Sequence, residues 1–278
     1  MVESNHALAE KCREIRYSLM EMLGNLGVGH VGGSLSIVDA LVVLYYKQMR
    51  IDPSNPQKEG RDRFVLSKGH AGPALYAVLA DKGYFPKEML DTLNRPGTRL
   101  PSHADMLRTP GIDMTTGALG QGLSCALGIA AASKLKQDGA FIYAIIGDGE
   151  SQEGQIWEAA MYAAQLRLDN LIVMTDFNGL QIDGTIAEVN GLEPLDKKWE
   201  AFGWDVAVVD GHDLEAIDLA ITHAKAASGK PSMIILKTTK GKGVSFVEAA
   251  LTGNHNMPLS AEQTEQALGE LRKVGEVS

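Results

Sequence analysis

The chain has 278 residues, 45% hydrophobic and 22% charged, with a formal net charge of −9, enough to bury a sizeable core in one large α/β domain or two small ones. The acidic balance argues against nucleic acid or a membrane surface as partner, since both reward clustered Lys and Arg, and leaves room for a local basic pocket. Two distant cysteines, Cys12 and Cys125, an N-terminus without an apolar signal core, and the lack of any run near the roughly 18 apolar residues of a membrane span lead to the expectation of a cytoplasmic protein in a reducing compartment.

Leu8, Cys12, Ile15, Leu19, Met22, Leu23 and Leu26 recur at helical spacing and predict a helix over residues 6–26, ended by the glycine-rich stretch Gly27–Gly33. Ser34 or Ser36 is placed to cap a second helix running through Val38, Leu41 and Leu44 and stopped before Asp52-Pro53. After a polar loop, Arg63–Leu66 reads as a short strand running into SKGHAGP, with a helix at 73–82. Residues 94–116, rich in Pro, Gly and Thr, read as a long functional loop. An Ala-rich helix at 119–136 precedes a buried strand, Ala140–Ile146. A helix at Gly154–Leu168, a strand at Leu171–Thr175, a strand at Val206–Val209, a helix at 213–227 and a strand at Met233–Lys237 complete the alternation, and the tail from about Gly241 reads as irregular loop and a terminal helix. Short apolar strands alternating with helices imply a parallel sheet with helices on both faces, in one domain spanning residues 1–278. Ligands in such sheets sit beyond the carboxyl ends of the strands, where SKGH, GDG and DFNG all fall.

Gly147-Asp148-Gly149 and Asn178-Gly179-Leu180 carry the strongest chemical signal. Asp148 and Asn178 lie thirty residues apart, one strand–helix–strand step, which puts both side chains at neighbouring strand ends. A carboxylate, an amide oxygen and a main-chain carbonyl suit a hard divalent cation such as Mg2+. Gly149 admits a diphosphate close to the backbone at a helix N-terminus.

The run GDGESQEGQIWEAAMYAAQLRLDNLIVMTDFNGLQIDG closely resembles the thiamine diphosphate motif of transketolases. GHVGGSLS, LSKGHAGPALYA, SHAD, TTGALGQGLS and KTTKGKGVSF resemble further segments of that family, in the same order and over nearly the whole chain. The resemblance implies a thiamine diphosphate-binding fold. It implies Asp148, Asn178 and the carbonyl of Leu180 as metal ligands, and His70, Gly149 and His255 as diphosphate contacts. By the same resemblance Gly117 and Leu119 fall at ring contacts, Ile182 at an apolar contact to the cofactor, His30 and His103 at histidines that handle the donor sugar's hydroxyl protons, and Glu153 at a subunit-interface glutamate coupling paired sites. Asn256 follows His255 where the family often has Gly, and Ala118 stands where it often has Pro. His6, His212 and His223 read as surface residues, Glu150 and Glu158 as solvated helix positions, and Lys240 and Lys242 as either phosphate contacts or an exposed basic turn.

Family chemistry moves a two-carbon ketol unit from a ketose phosphate to an aldose, and needs a glutamate at the cofactor's pyrimidine that resides in a second domain. The chain ends at Ser278. The expectation is therefore a split transketolase, completed by a C-terminal subunit bearing the pyrimidine-binding and C-terminal domains, in an α2β2 heterotetramer. The default substrate is a pentose phosphate, with a modified sugar as the other option. The alternatives are a 2-oxo acid dehydrogenase α-like or deoxyxylulose-phosphate synthase-like half, or a non-catalytic scaffold subunit.

Overall fold

The computed structural model describes residues 5–273. Its elements in chain order are α1 (Asn5–Leu26), β1 (Val28–Gly29), α2 (Val31–Leu35), α3 (Val38–Val43), β2 (Arg63–Leu66), α4 (Gly72–Asp81), α5 (Gln121–Lys136), β3 (Ile142–Gly147), α6 (Gly154–Gln165), β4 (Leu171–Phe177), α7 (Ile186–Asn190), α8 (Leu195–Ala201), β5 (Asp205–Asp210), α9 (Leu214–Ala226), β6 (Ser232–Lys237), α10 (Ser245–Ala249), β7 (Met257–Pro258) and α11 (Ala261–Lys273). Residues 1–4 of the charged N-terminal stretch and residues 274–278 of the tail lie outside the described residues.

Five parallel strands form the sheet in the order β2-β3-β4-β6-β5. Their alternating residues separate two cores, as the period of two requires. Tyr143, Ile145, Ile172, Met174, Ile234 and Leu236 pack on α1, α3, α4, α9 and α11. Ile142, Ala144, Ile146, Leu171, Val173, Met233 and Ile235 pack on α5, α6 and α8. Each fully buried aliphatic contributes roughly 1.5–3 kcal/mol of transfer free energy, so the central strands β3, β4 and β6 form the rigid base on which the loops are mounted. Among the described residues no helix is long and apolar enough to cross a membrane.

Two local expectations fail. The helix expected through Leu44 is split into α2 and α3 and runs on as a wider π turn, Leu44–Gln48. Neither serine caps it. Ser34 Oγ donates to the His30 carbonyl at 2.7 Å, and Ser36 Oγ donates to Asp176 at 2.7 Å, a buried carboxylate that outcompetes a helix end for the hydroxyl. The two-residue strands β1 and β7 pair antiparallel and bring the segment after His255 back beside His30.

Candidate active site

At the register pair Gly147–Asp176, the ends of β3 and β4 launch the two loops that resemble the family's cofactor motif. Asp148 is buried, and its carboxylate accepts from the Gly149 N–H at 2.8 Å and the Gly179 N–H at 2.6 Å. Each carboxylate oxygen keeps a second lone pair. Asn178 donates through Nδ2 to Asp176 at 2.9 Å, which fixes which end of the amide is oxygen, and that oxygen accepts from the Leu180 N–H at 3.1 Å. The Leu180 carbonyl faces Lys240 Nζ at 3.4 Å.

Beneath this cradle lies a hub that sequence reasoning missed. Lys68, 2% exposed, donates to Asp176, 0% exposed, at 2.6 Å and to the Gly33 carbonyl at 3.0 Å. Asp176 also accepts from Ser36, Asn178 and Thr238. It is held below the usual carboxylate range because the Lys68 ammonium and these donors outweigh its burial. Glu150 was expected in solvent and is instead buried. Its oxygens accept from Ser67 Oγ, the Gly120 N–H at 2.9 Å and the Gly147 N–H at 3.0 Å, tying three motif loops together. Glu150 lies in the 3-10 turn Gly149–Gln152, with its side chain turned inward onto these donors. Glycine is required at two contacts between these loops. A Cβ on Gly69 would meet the Gly117 nitrogen at 2.8 Å, and one on Gly122 would meet Ser67 Cα at 2.6 Å.

These loops enclose a cavity of about 360 Å3. Every candidate site residue lines it: Asp148, Gly149, Asn178 and Leu180, the clustered His30, His70, His103 and His255, and Gly117, Leu119, Glu153 and Ile182. His30 is the centre of the histidine cluster, 5.5 Å between ring centroids from each of His70, His103 and His255, and His70 lies 4.9 Å from His255. Leu119 at 40% exposed and Ile182 at 64% exposed give the mouth an apolar rim.

The electrostatics favour an anion on one side and a cation beside Asp148. Burial, then the Asp176 charge, pushes the Asp148 carboxyl up to about 6. Burial, then the Lys68 charge, drives His70 well below its ordinary value; burial, then Lys240, takes His255 down to about 4. Lys240 is 4% exposed and on the cavity wall, with its ammonium lowered to about 8 by burial and then Lys68; the half-buried Lys242 is not on that wall. Gln181 Oε1, also on the wall, is buried without a partner. Among the described residues no three His, Cys, Asp or Glu side chains converge as a metal-ligand cluster, so any cation here depends on the mixed carboxylate, amide and carbonyl set. His212 was expected at the surface and instead bridges Asp39 and the Thr239 N–H. His6, His223 and Glu158 are exposed, as expected.

Residues 8–272 match the model of the transketolase thiamine diphosphate binding domain. The chain belongs to the transketolase family. It is 59% identical to the 6-deoxy-6-sulfo-D-fructose transketolase subunit SqwG of Clostridium sp. (strain MSTE9), over 99% of this chain and 100% of that protein. To an apulose-4-phosphate transketolase subunit of Phocaeicola vulgatus it is 43% identical, over 97% of this chain and 94% of that one. The solved transketolase of Campylobacter jejuni superposes with a TM-score of 0.91 at 34% identity, over 99% of this chain and 44% of that one. The chain thus has the extent of proteins named transketolase subunits and spans less than half of that solved transketolase.

Proposed function

We propose that the chain acts as a single diphosphate-binding domain, the thiamine diphosphate-binding subunit of a transketolase completed by a second polypeptide. The convergence of Asp148, Asn178 and the Leu180 carbonyl with four histidines and Lys240 on one cavity carries this reading. The donor set fits the cofactor and its cation. Asp148 is a buried carboxylate with unused lone pairs, Gln181 offers an orphaned acceptor, and a side chain on Gly149 would sit 3.4 Å from Gln181 Cβ and fill the floor.

In this reading Asp148, Asn178 and the Leu180 carbonyl hold Mg2+ or another divalent cation. Gly149, His70, His255 and Lys240 bind the diphosphate, and Gly117, Leu119 and Ile182 contact the rings. When bound, thiamine diphosphate supplies the electron sink for cleaving a ketose carbon–carbon bond. His30 and His103 stand where they can hold or move a proton on a donor-sugar hydroxyl. His30 is suited to this in its neutral form, because burial and then the neighbouring His103 lower it. Glu153, exposed at the start of α6, is placed for contact with another chain.

The partner supplies the pyrimidine-side glutamate, and two copies of each chain give an α2β2 assembly. The identity to the sulfofructose transketolase subunit makes 6-deoxy-6-sulfo-D-fructose the first donor to assay, ahead of ketose phosphates. The purified chain should show no ketol transfer alone and should gain it on mixing with a chain carrying the pyrimidine-binding domain. Full activity of the lone chain refutes the shared site.

A further inference from the structure

His212 does not line the cavity, yet it grips the loop that delivers Lys240 to it. Its Nδ1 lies 2.7 Å from Asp39 Oδ2. Asp39 is buried and held by Arg16 through two bonds of 3.0 and 2.6 Å. Burial alone would raise that carboxyl, but the Arg16 charge overrides it and keeps Asp39 ionised. An ionised carboxylate only accepts, so Nδ1 carries the proton. That leaves Nε2 as an acceptor, and the Thr239 N–H donates to it at 2.8 Å.

The same ion pair reaches the other end of the turn, where Arg16 Nε donates to the Lys242 carbonyl at 3.1 Å. Between these points the Gly241 N–H donates to the Gly32 carbonyl at 3.0 Å, and Asn254 Nδ2 donates to the Lys240 carbonyl at 3.2 Å. Residue 240 is therefore pinned on both sides. Thr239 is exposed, so water can satisfy its N–H if the ring is lost. The bond to His212 then matters less for keeping the chain folded than for where the next residue points.

We propose that His212, fixed as the Nδ1–H tautomer by Asp39, is a positioning residue for the diphosphate, acting through the Thr239 N–H on Lys240. This rests on Lys240 being a diphosphate contact and adds a residue that touches neither cofactor nor substrate. Substituting it acts on the ligand only while Lys240 is present.

The test is calorimetric titration of the whole chain with inorganic pyrophosphate and Mg2+. His212→Asn keeps a donor for Asp39 and loses the acceptor; His212→Gln puts an amide oxygen where Nε2 stands. His212→Asn should weaken binding about tenfold, in the range for outer partners of a ligand, and His212→Gln should stay near the wild type. Added to Lys240→Met, His212→Asn should cost nothing further. An equal loss with and without Lys240, an unchanged His212→Asn, or no rescue by Gln overturns the proposal. A Lys240→Met chain that binds like the wild type removes the Lys240 contact itself, and the positioning role with it. Histidine-selective 15N NMR of the unaltered chain is independent of whether any variant folds. It should show His212 protonated at Nδ1, and protonation at Nε2 instead contradicts the proposal.

Discussion

Lys68 and Asp176 form the buried ion pair on which the cradle rests, and removing either charge should be costly. Asp176→Asn isolates the charge. The amide oxygen can take the position of Oδ2 and still accept from Lys68, Ser36 and Asn178, while the new NH2 faces Thr238, whose hydroxyl can turn and accept. What is lost is the counter-charge of an ammonium that is 2% exposed. Stranding one member of a buried pair costs about 3–5 kcal/mol, a large part of the roughly 5–15 kcal/mol that stabilises a typical domain. Lys68→Met should cost a similar amount by stranding the carboxylate. The double variant leaves no unpaired charge and loses mainly the two bonds donated by Lys68, to Asp176 and to the Gly33 carbonyl, about 1–3 kcal/mol. Urea unfolding at pH 7 with a common slope should therefore show the double variant at least as stable as either single one. Single losses that add to within about 0.5 kcal/mol would refute the pair as an interacting unit.

Two further outcomes follow from the packing and the charges. Gly122→Ala should cost about 1–3 kcal/mol, because its Cβ meets the Ser67 backbone, whereas Gly128→Ala on the same helix, with nothing within 4 Å, should be neutral or stabilising; thermal melts that rank them the other way contradict the described loop contact. His70 is held below its ordinary 6.5, so as pH falls through that value the unfolded chain takes up the proton first and stability drops. His70→Gln should flatten the fall in unfolding free energy, read from urea titrations between pH 7 and 5, by up to about 1.4 kcal/mol per pH unit, and an unchanged slope rules out His70 as its source.

The sheet was legible because short, nearly continuous apolar runs and helical spacing survive without tertiary information. Ala140–Ile146 and Leu171–Thr175 map onto β3 and β4 within a few residues. Some candidate site residues were legible from motifs at strand ends, as with His70, Asp148, Gly149 and Asn178, and the others only from the family resemblance; all of them line one cavity. What stayed hidden was the buried polar support. Lys68, Asp176, Glu150 and His212 are types found mostly at the surface, and their partners Ser36, Gly120 and Thr239 lie tens to more than a hundred residues away along the chain. Nothing in local periodicity marks a charge whose counter-charge is supplied by another strand. Ser36 misled for the same reason, since a capping pattern describes a local hydroxyl and Asp176 claimed it from across the fold, whereas Ser34 bonds back to the nearby His30 carbonyl.

The central claim is that Asp148, Asn178 and Leu180 hold a divalent cation and, through it, thiamine diphosphate. Calorimetric titration of the purified chain with thiamine diphosphate, with and without Mg2+, tests it most directly when paired with Asp148→Ala. The account predicts Mg2+-dependent binding near one cofactor per chain. Asp148→Ala should abolish that binding and leave the circular dichroism spectrum unchanged. A folded Asp148→Ala chain that binds the cofactor with unaltered affinity and the same Mg2+ dependence contradicts it.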